Sequence, residues 1–302
     1  MQALYAYFQS DNDDVGKSEK EMIRSFQGVE DLYHWLLSLL INIHEVAIDV
    51  IEDAKHKRLP TQADLNPNTR FIDNRFLYSL SQDADFKKII EKKRLRWNDD
   101  QDIIRKILLD IKKTDSYKNY TAAKGSLLTD DKKFLYELID EILTEHELVI
   151  HFFEEKNVHW ADDLFLAFVA VKKTIDSFDG NQIRLQPLYK DEKEDVDFAR
   201  KLFEKCILNN NDFEQLISAK TVNWEVERIA QMDVLLMKMA LTEVLFFETI
   251  PVKVSLNEYI DISKEYSTPK SKVFINGVLD KIVIELKNQH KIIKTGRGLV
   301  EN

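Results

Sequence analysis

From Ser18 to about Arg58 the apolar residues Ile23, Phe26, Tyr33, Leu36, Leu37, Leu40, Ile43, Ala47 and Val50 recur every three or four positions. That is the repeat of one helix face, sustained for longer than most globular helices run. Ser18-Glu19-Lys20-Glu21 reads as a capping box at its start, and Leu59-Pro60 ends it. A chain committed to so long a helix needs other helices to cover it.

Little in the remainder could turn a sheet. Seven glycines and five prolines in 302 residues are too few for a sandwich or barrel, which needs a turn every few residues. The expected fold class is all-α, built of helical bundles. With 44% hydrophobic and 32% charged residues the chain can bury a core and keep a solvated surface, as one to three soluble domains. The most apolar run, Leu32 to Val50, is interrupted by Asn42, His44, Glu45 and Asp49, which argues against a membrane span. The single cysteine, Cys206, reads as a small buried hydrophobe, and no basic-then-apolar leader opens the chain, so a reducing cytoplasm is expected. A net charge of −10 excludes coating nucleic acid by bulk attraction; any such site must be local.

Further along, Asn66-Pro67-Asn68 marks a turn and a helix resumes near Asn74 or Asp83. It carries the densest basic cluster, Lys87, Lys88, Lys92, Lys93, Arg94 and Arg96, which reads as a solvated face with RNA contact as the alternative. Asp99 to Lys113 is a third amphipathic stretch, and "TDSYKNYTAAKGSLL" after it reads as a loop. Thr129 caps a helix expected to reach Phe153, and another covers Trp160 to Ser177. "FDGNQIRLQPLYK", residues 178 to 190, is the best boundary. Later helices begin near Asp212, Asn223, Pro251 and Pro269.

Catalytic patterns are missing from the sequence. "HELVIH" places His146 and His151 five apart, roughly 140° around a helix, so they cannot share a metal as a zinc-protease pair does, and His159 does not repair the geometry. There is no phosphate loop, dinucleotide fingerprint or nucleophile elbow, and carboxylate pairs such as Asp162-Asp163 are ordinary in so acidic a chain. No enzyme, cofactor or metal is expected.

The last third is distinctive. Asn223-Trp224 with Glu227-Arg228-Ile229-Ala230, then Ile250-Pro251-Val252-Lys253-Val254 with Asn257-Glu258, then Phe274-Ile275-Asn276-Gly277-Val278-Leu279-Asp280-Lys281 form three ordered blocks. They resemble the C-terminal half of the NusB family of transcription antitermination factors. "MQALYAYFQS" resembles the end of that family's first helix. The resemblance divides the chain into a first-helix remnant at 1–10, a helical expansion at 11–185, a NusB-like core at 186–290 and a flexible tail at 291–302 containing "TGRG".

That family implies a helical, non-catalytic factor for transcription antitermination and ribosomal-RNA biogenesis. It binds single-stranded boxA RNA with the ribosomal protein NusE and through that assembly joins RNA polymerase. By the resemblance, Gln2 and Tyr5 lie at the RNA surface and Asp233 faces NusE. Thr268 and Pro269 are suited to open a helix whose free amides at Lys270, Ser271 and Lys272 would meet a phosphate. Phe274 would stack on a base or pack in the core, and Asn276 lies beside it. The family commonly has aspartate where Lys270 stands, which alters that contact. The family's arginine-rich opening does not appear in this sequence; it is expected upstream of Met1, with the cluster at 87 to 96 as the alternative. The competing class is a protein-interaction scaffold whose acidic expansion holds a partner and whose RNA binding is vestigial.

Asn276-Gly277 is also a hairpin signal, but Ile275, Val278, Leu279, Ile282 and Leu286 keep the helical repeat, so a helix is expected there. Its glycine is expected to mark the close approach of a helix or an RNA backbone.

Overall fold

The computed structural model describes residues 1–10, 14–123, 125, 127–157, 160–221 and 230–299, without the side chains of Asn98, Ala161 and Asp162. Asn223, Trp224, Glu227, Arg228 and Ile229, where the resemblance begins, lie outside the described residues, as does His159. Among those described, the chain is all-α, as the sequence implies.

The helices are α1 (Gln2–Gln9), α2 (Val15–Lys55), α3 (Gln62–Leu65), α4 (Arg75–Gln82), α5 (Ala84–Lys93), α6 (Gln101–Lys113), α7 (Asp115–Ala122) and α8 (Leu128–Leu138). They continue as α9 (Glu147–Lys156), α10 (Trp160–Ser177), α11 (Glu192–Leu208), α12 (Asn210–Lys220), α13 (Gln231–Phe246), α14 (Val252–Tyr266) and α15 (Ser271–Asn288). Two compact units result, one from Met1–Arg24 with Tyr189–Asn302, the other from Ser25–Leu188.

Local chemistry sets the helix ends, and several differ from the sequence expectation. The long helix starts before Ser18, because the Asp14 carboxylate accepts the Lys17 amide at 2.9 Å and takes the capping role. Asn74 and Asp83 both cap, opening two helices where one was expected. The stretch expected as a loop after Lys113 holds α7, since Thr114 Oγ1 accepts the Tyr117 amide at 3.2 Å. The helix expected to run from Thr129 to Phe153 is broken: α8 passes through a π turn at Ile139–Leu143, and His146 then opens α9, its Nδ1 accepting the Leu148 amide at 3.3 Å.

In the unit Ser25–Leu188 the core is wrapped around α2, where Leu32, Leu36, Leu37, Leu39, Leu40 and Ile43 are all buried. By length and composition α2 could cross a bilayer, yet 61% of its most apolar window is buried within the protein, as in a central core helix. Trp97 stacks on Phe152 at 4.1 Å and its Nε1 donates to Ser38 Oγ at 3.2 Å, so the indole is both packed and satisfied. The basic cluster on α5 divides: Lys93 pairs with Glu30 and Asp31 at 2.8 and 2.6 Å, whereas Lys87, Lys88 and Lys92 are exposed.

His34 lies buried against Tyr33 and Phe86 in this core. Burial first, then Lys93, pushes its pKa down from 6.5 to about 4, against the opposing pull of Glu30 and Asp31. The unfolded chain binds this proton first, so His34 contributes stability that is full above about pH 6.5 and is lost as pH falls towards 4. His34→Gln is expected to flatten that part of the stability curve, read from urea midpoints across the interval.

The other unit is organised on α13, which packs against α1, α11, α12, α14 and α15. Leu235, Leu236, Met237, Met239, Ala240, Leu241 and Val244 are buried around it, the pattern of a helix covered on every side. Leu4 and Ile282 join this core, and Phe8 is half-buried. Polar groups on α13 are paired: Tyr259 donates to Glu243 at 3.0 Å, and Lys238 donates to Glu214 at 2.7 Å and Asn210 at 2.6 Å. Cys206 is buried, and burial raises its thiol to about 11, so it is an inert packing residue.

Residues 291–299 are docked where the sequence suggests a flexible tail. His290 takes a left-handed backbone (φ 53°) and reverses the chain after α15, the Lys291 amide closing on the Leu286 carbonyl at 3.0 Å. Lys294 Nζ then donates to the Phe247 carbonyl at 2.9 Å, capping the end of α13, and the Thr295 amide donates to the Glu248 carbonyl at 2.9 Å. Gly298 is buried so tightly that a Cβ would stand 2.0 Å from the Glu248 oxygen. Gly298→Ala is expected to cost about 1–3 kcal/mol, measured by urea unfolding, because the strap must lift.

Candidate nucleic-acid interface

The turn joining α14 to α15 is built from hydroxyls and one buried acid. The Ser271 amide donates to the Thr268 carbonyl at 2.9 Å, closing a β-turn with Pro269 and Lys270 at its centre. Lys270 has φ −91° and ψ −15°, the values of the third position of a type I turn, and proline suits the second. Helix α15 therefore starts at Ser271, two residues later than proline at its first position implies. Of the three amides expected to be free, that of Ser271 is used by the turn.

The Ser271 side chain is also committed. Its Oγ donates to Asp233 Oδ2 at 2.8 Å and accepts the Thr268 amide at 3.1 Å, while Ser267 Oγ donates to Asp233 Oδ1. Ser271 is 1% exposed and Asp233 5%, so both expected contact residues lie beneath the surface, where they fix the turn to the first turn of α13. Phe274 is buried in the core, which is one of the two roles read for it. A base could stack on it only after the helix moved.

What remains at the surface is Thr268, Pro269, Lys270, Lys272, Val273, Asn276 and Gly277. Asn276 Nδ2 donates to Asp280 Oδ2 at 3.1 Å along the exposed face. Gly277 is beside it, and a Cβ there would meet no described atom within 4 Å, so close approach of a neighbouring helix is not its reason. Gly277→Ala should accordingly stabilise the protein by up to about 1 kcal/mol, seen as a higher urea midpoint.

On α1, Gln2 is exposed and Tyr5 is 39% exposed. Tyr5 lines a groove of about 520 Å³ with Phe8, Gln9, Asn210, Gln231 and Lys238, distinct from the turn at Lys270. Helix α13 links the two sites: Gln9 Nε2 donates to Gln231 at 2.9 Å, and Asp233, two residues on, holds the α14–α15 turn. Sequence reading missed Lys238, whose cation also lies 5.0 Å from the Phe8 ring; a lysine amid the apolar run of α13 was its signal.

The histidines go to separate partners. His146 Nε2 is 3.4 Å from Asp110 and His151 Nε2 is 3.3 Å from Glu155. No metal-holding group of three ligands occurs among the described residues.

The NusB family model matches residues 164–283, from inside α10 to inside α15. Residues 164–283 are thus similar to a NusB-family domain. It is 46% identical over 104 residues to the transcription antitermination protein NusB of Salinibacter ruber, an alignment spanning 34% of this chain and 65% of that protein. The NusB proteins of Chloroherpeton thalassium and Clostridium botulinum are 43% and 35% identical over 35% and 30% of this chain, and over 50% and 62% of their own lengths. The chain thus spans less than two thirds of each of these relatives. No solved structure matches it. The turn at Thr268–Ser271, Asp233 and Asn276 all fall inside the NusB match, whereas α1 and the docked strap fall outside it.

Proposed function

We propose that this protein is a transcription antitermination factor that binds boxA-type single-stranded RNA and acts non-catalytically in the cytoplasm, in company with the ribosomal protein NusE and, through that assembly, RNA polymerase. The observation that carries the reading is the α14–α15 turn inside the NusB match, which holds Lys270 and Lys272 exposed above a pinned base. A turn already fixed by Asp233 and Ser271 loses little freedom when RNA binds, so its two cations act at low entropic cost. In this reading Lys270 and Lys272 contact phosphates, Asn276 offers a side-chain amide, and Gln2 and Tyr5 extend the surface on α1. Ser271 and Phe274 support that surface from below. Asp233 serves NusE recognition indirectly, by fixing the surface that NusE would meet.

The test is fluorescence anisotropy with a labelled boxA oligonucleotide, single-stranded or paired with its complement, with and without NusE. The reading expects preference for the single strand and tighter binding with NusE present. Equal affinity for both RNA forms, unmoved by NusE, would overturn it.

A further inference from the structure

The docked strap does more than cap α13, for it forms one wall of a groove of about 830 Å³ whose other walls are α14 and α15. The floor is aliphatic, with Val252, Leu256, Val283 and Ile292, and the strap adds Ile293 and Leu299, which are 60% and 67% exposed. Apolar side chains so exposed at the mouth of an apolar groove mark a surface built to be covered. Lys253 and Lys287 border it, Lys294 lines it with its ammonium turned to the Phe247 carbonyl, and Asp280 is the one acid in the lining, itself hydrogen-bonded by Asn276.

Charge selects what could cover it. Residues 287–297 hold Lys287, Lys291, Lys294 and Arg297 and no carboxylate, in a chain whose net charge is −10. Among the described lining there is no aromatic ring, so the groove lacks the stacking platform on which an unpaired base rests. Its concavity suits a rod rather than a flat lipid surface. An aliphatic floor under a cationic rim is complementary to a helix with leucine-like residues on one face and carboxylates along its flanks.

We infer that the groove between α14, α15 and the 291–299 strap is a docking site for an acidic amphipathic helix of a partner protein. The site is separate from the turn at Lys270 and does not depend on RNA binding. Gly298 is part of the device, since its missing side chain lets the strap lie against Glu248 and close the wall.

The test uses the full chain and a fluorescein-labelled synthetic amphipathic helix, leucines on one face and glutamates on the other. A scrambled peptide of the same composition is the control, and binding is read by anisotropy. The glutamate peptide is expected to bind and the scrambled one not. Ile293→Asp, at an exposed position that folding does not need, should weaken binding about tenfold or more. Gly298→Ala should weaken it in the same direction by displacing the strap, and higher salt should lower affinity. The inference is overturned by no binding, by equal binding of the scrambled peptide, or by an affinity that Ile293→Asp leaves unchanged. Direct binding of labelled single-stranded RNA that Ile293→Asp weakens as much as it weakens the peptide would equally overturn it, assigning the groove to nucleic acid.

Discussion

Asp131→Ala is expected to destabilise the Ser25–Leu188 unit by about 3–5 kcal/mol, enough to unfold a marginal domain. Asp131 is fully buried at the start of α8, and three side chains and the Arg75 amide converge on its carboxylate. Tyr120 donates its hydroxyl at 2.8 Å, Arg75 Nε donates at 2.9 Å, and Arg70 Nη2 lies 3.0 Å away. Asn74 Nδ2 donates to the Asp131 carbonyl at 3.2 Å, and the Arg70 guanidinium also covers the Tyr120 ring at 4.4 Å. Burial, and then the hydrogen bond to Asp131, raise the tyrosine pKa, so the phenol stays protonated as the donor. Removing the carboxylate takes the 3.0 Å ion pair away from the Arg70 guanidinium, on a side chain only 9% exposed. Tyr120→Phe removes one hydrogen bond and should cost about 1 kcal/mol. Urea unfolding of both variants checks the ordering; an Asp131→Ala loss no larger than that of Tyr120→Phe would show that the charge is otherwise compensated.

Lys270→Glu combined with Lys272→Glu is expected to lower affinity for single-stranded boxA RNA by about tenfold or more, with the fold intact. Both side chains are exposed, and neither takes part in the hydrogen bonds that close the turn, so the loss would be electrostatic. Asp233→Asn should give the opposite signature, because it loosens the turn's anchor and so lowers stability as well as affinity. Comparing anisotropy with urea midpoints for the two variants separates contact from support.

The helical class was readable because period and turn scarcity are carried by many residues at once. Single caps were less readable: Ser18 and Asp14 are both competent, and only the path of the chain decides that Asp14 takes the role. The polar stretch after Lys113 lacked an apolar period, yet Tyr117 and Tyr120, three apart, together with the Thr114 cap were enough to build α7. At the candidate site the lysines were legible as local charge. The Asp233–Ser271 bond was not, since it joins residues 38 apart and leaves no periodic trace. Gly277 and Gly298 exchange meanings for a similar reason. By its sequence context Gly277 marks the close approach of a helix or an RNA backbone, yet no described atom of the protein comes near it; Gly298 belongs by context to a loose tail, yet its position admits no side chain.

The most direct measurement of the central claim is the salt dependence of boxA binding, taken for the unaltered chain and for the Lys270→Glu/Lys272→Glu variant. If the two lysines neutralise RNA phosphates, the slope of log affinity against log salt should be shallower in the variant by about 1.4, two contacts at roughly 0.7 each for a single strand. Parallel slopes, or RNA affinity equal in the two proteins, would contradict an RNA interface at this turn.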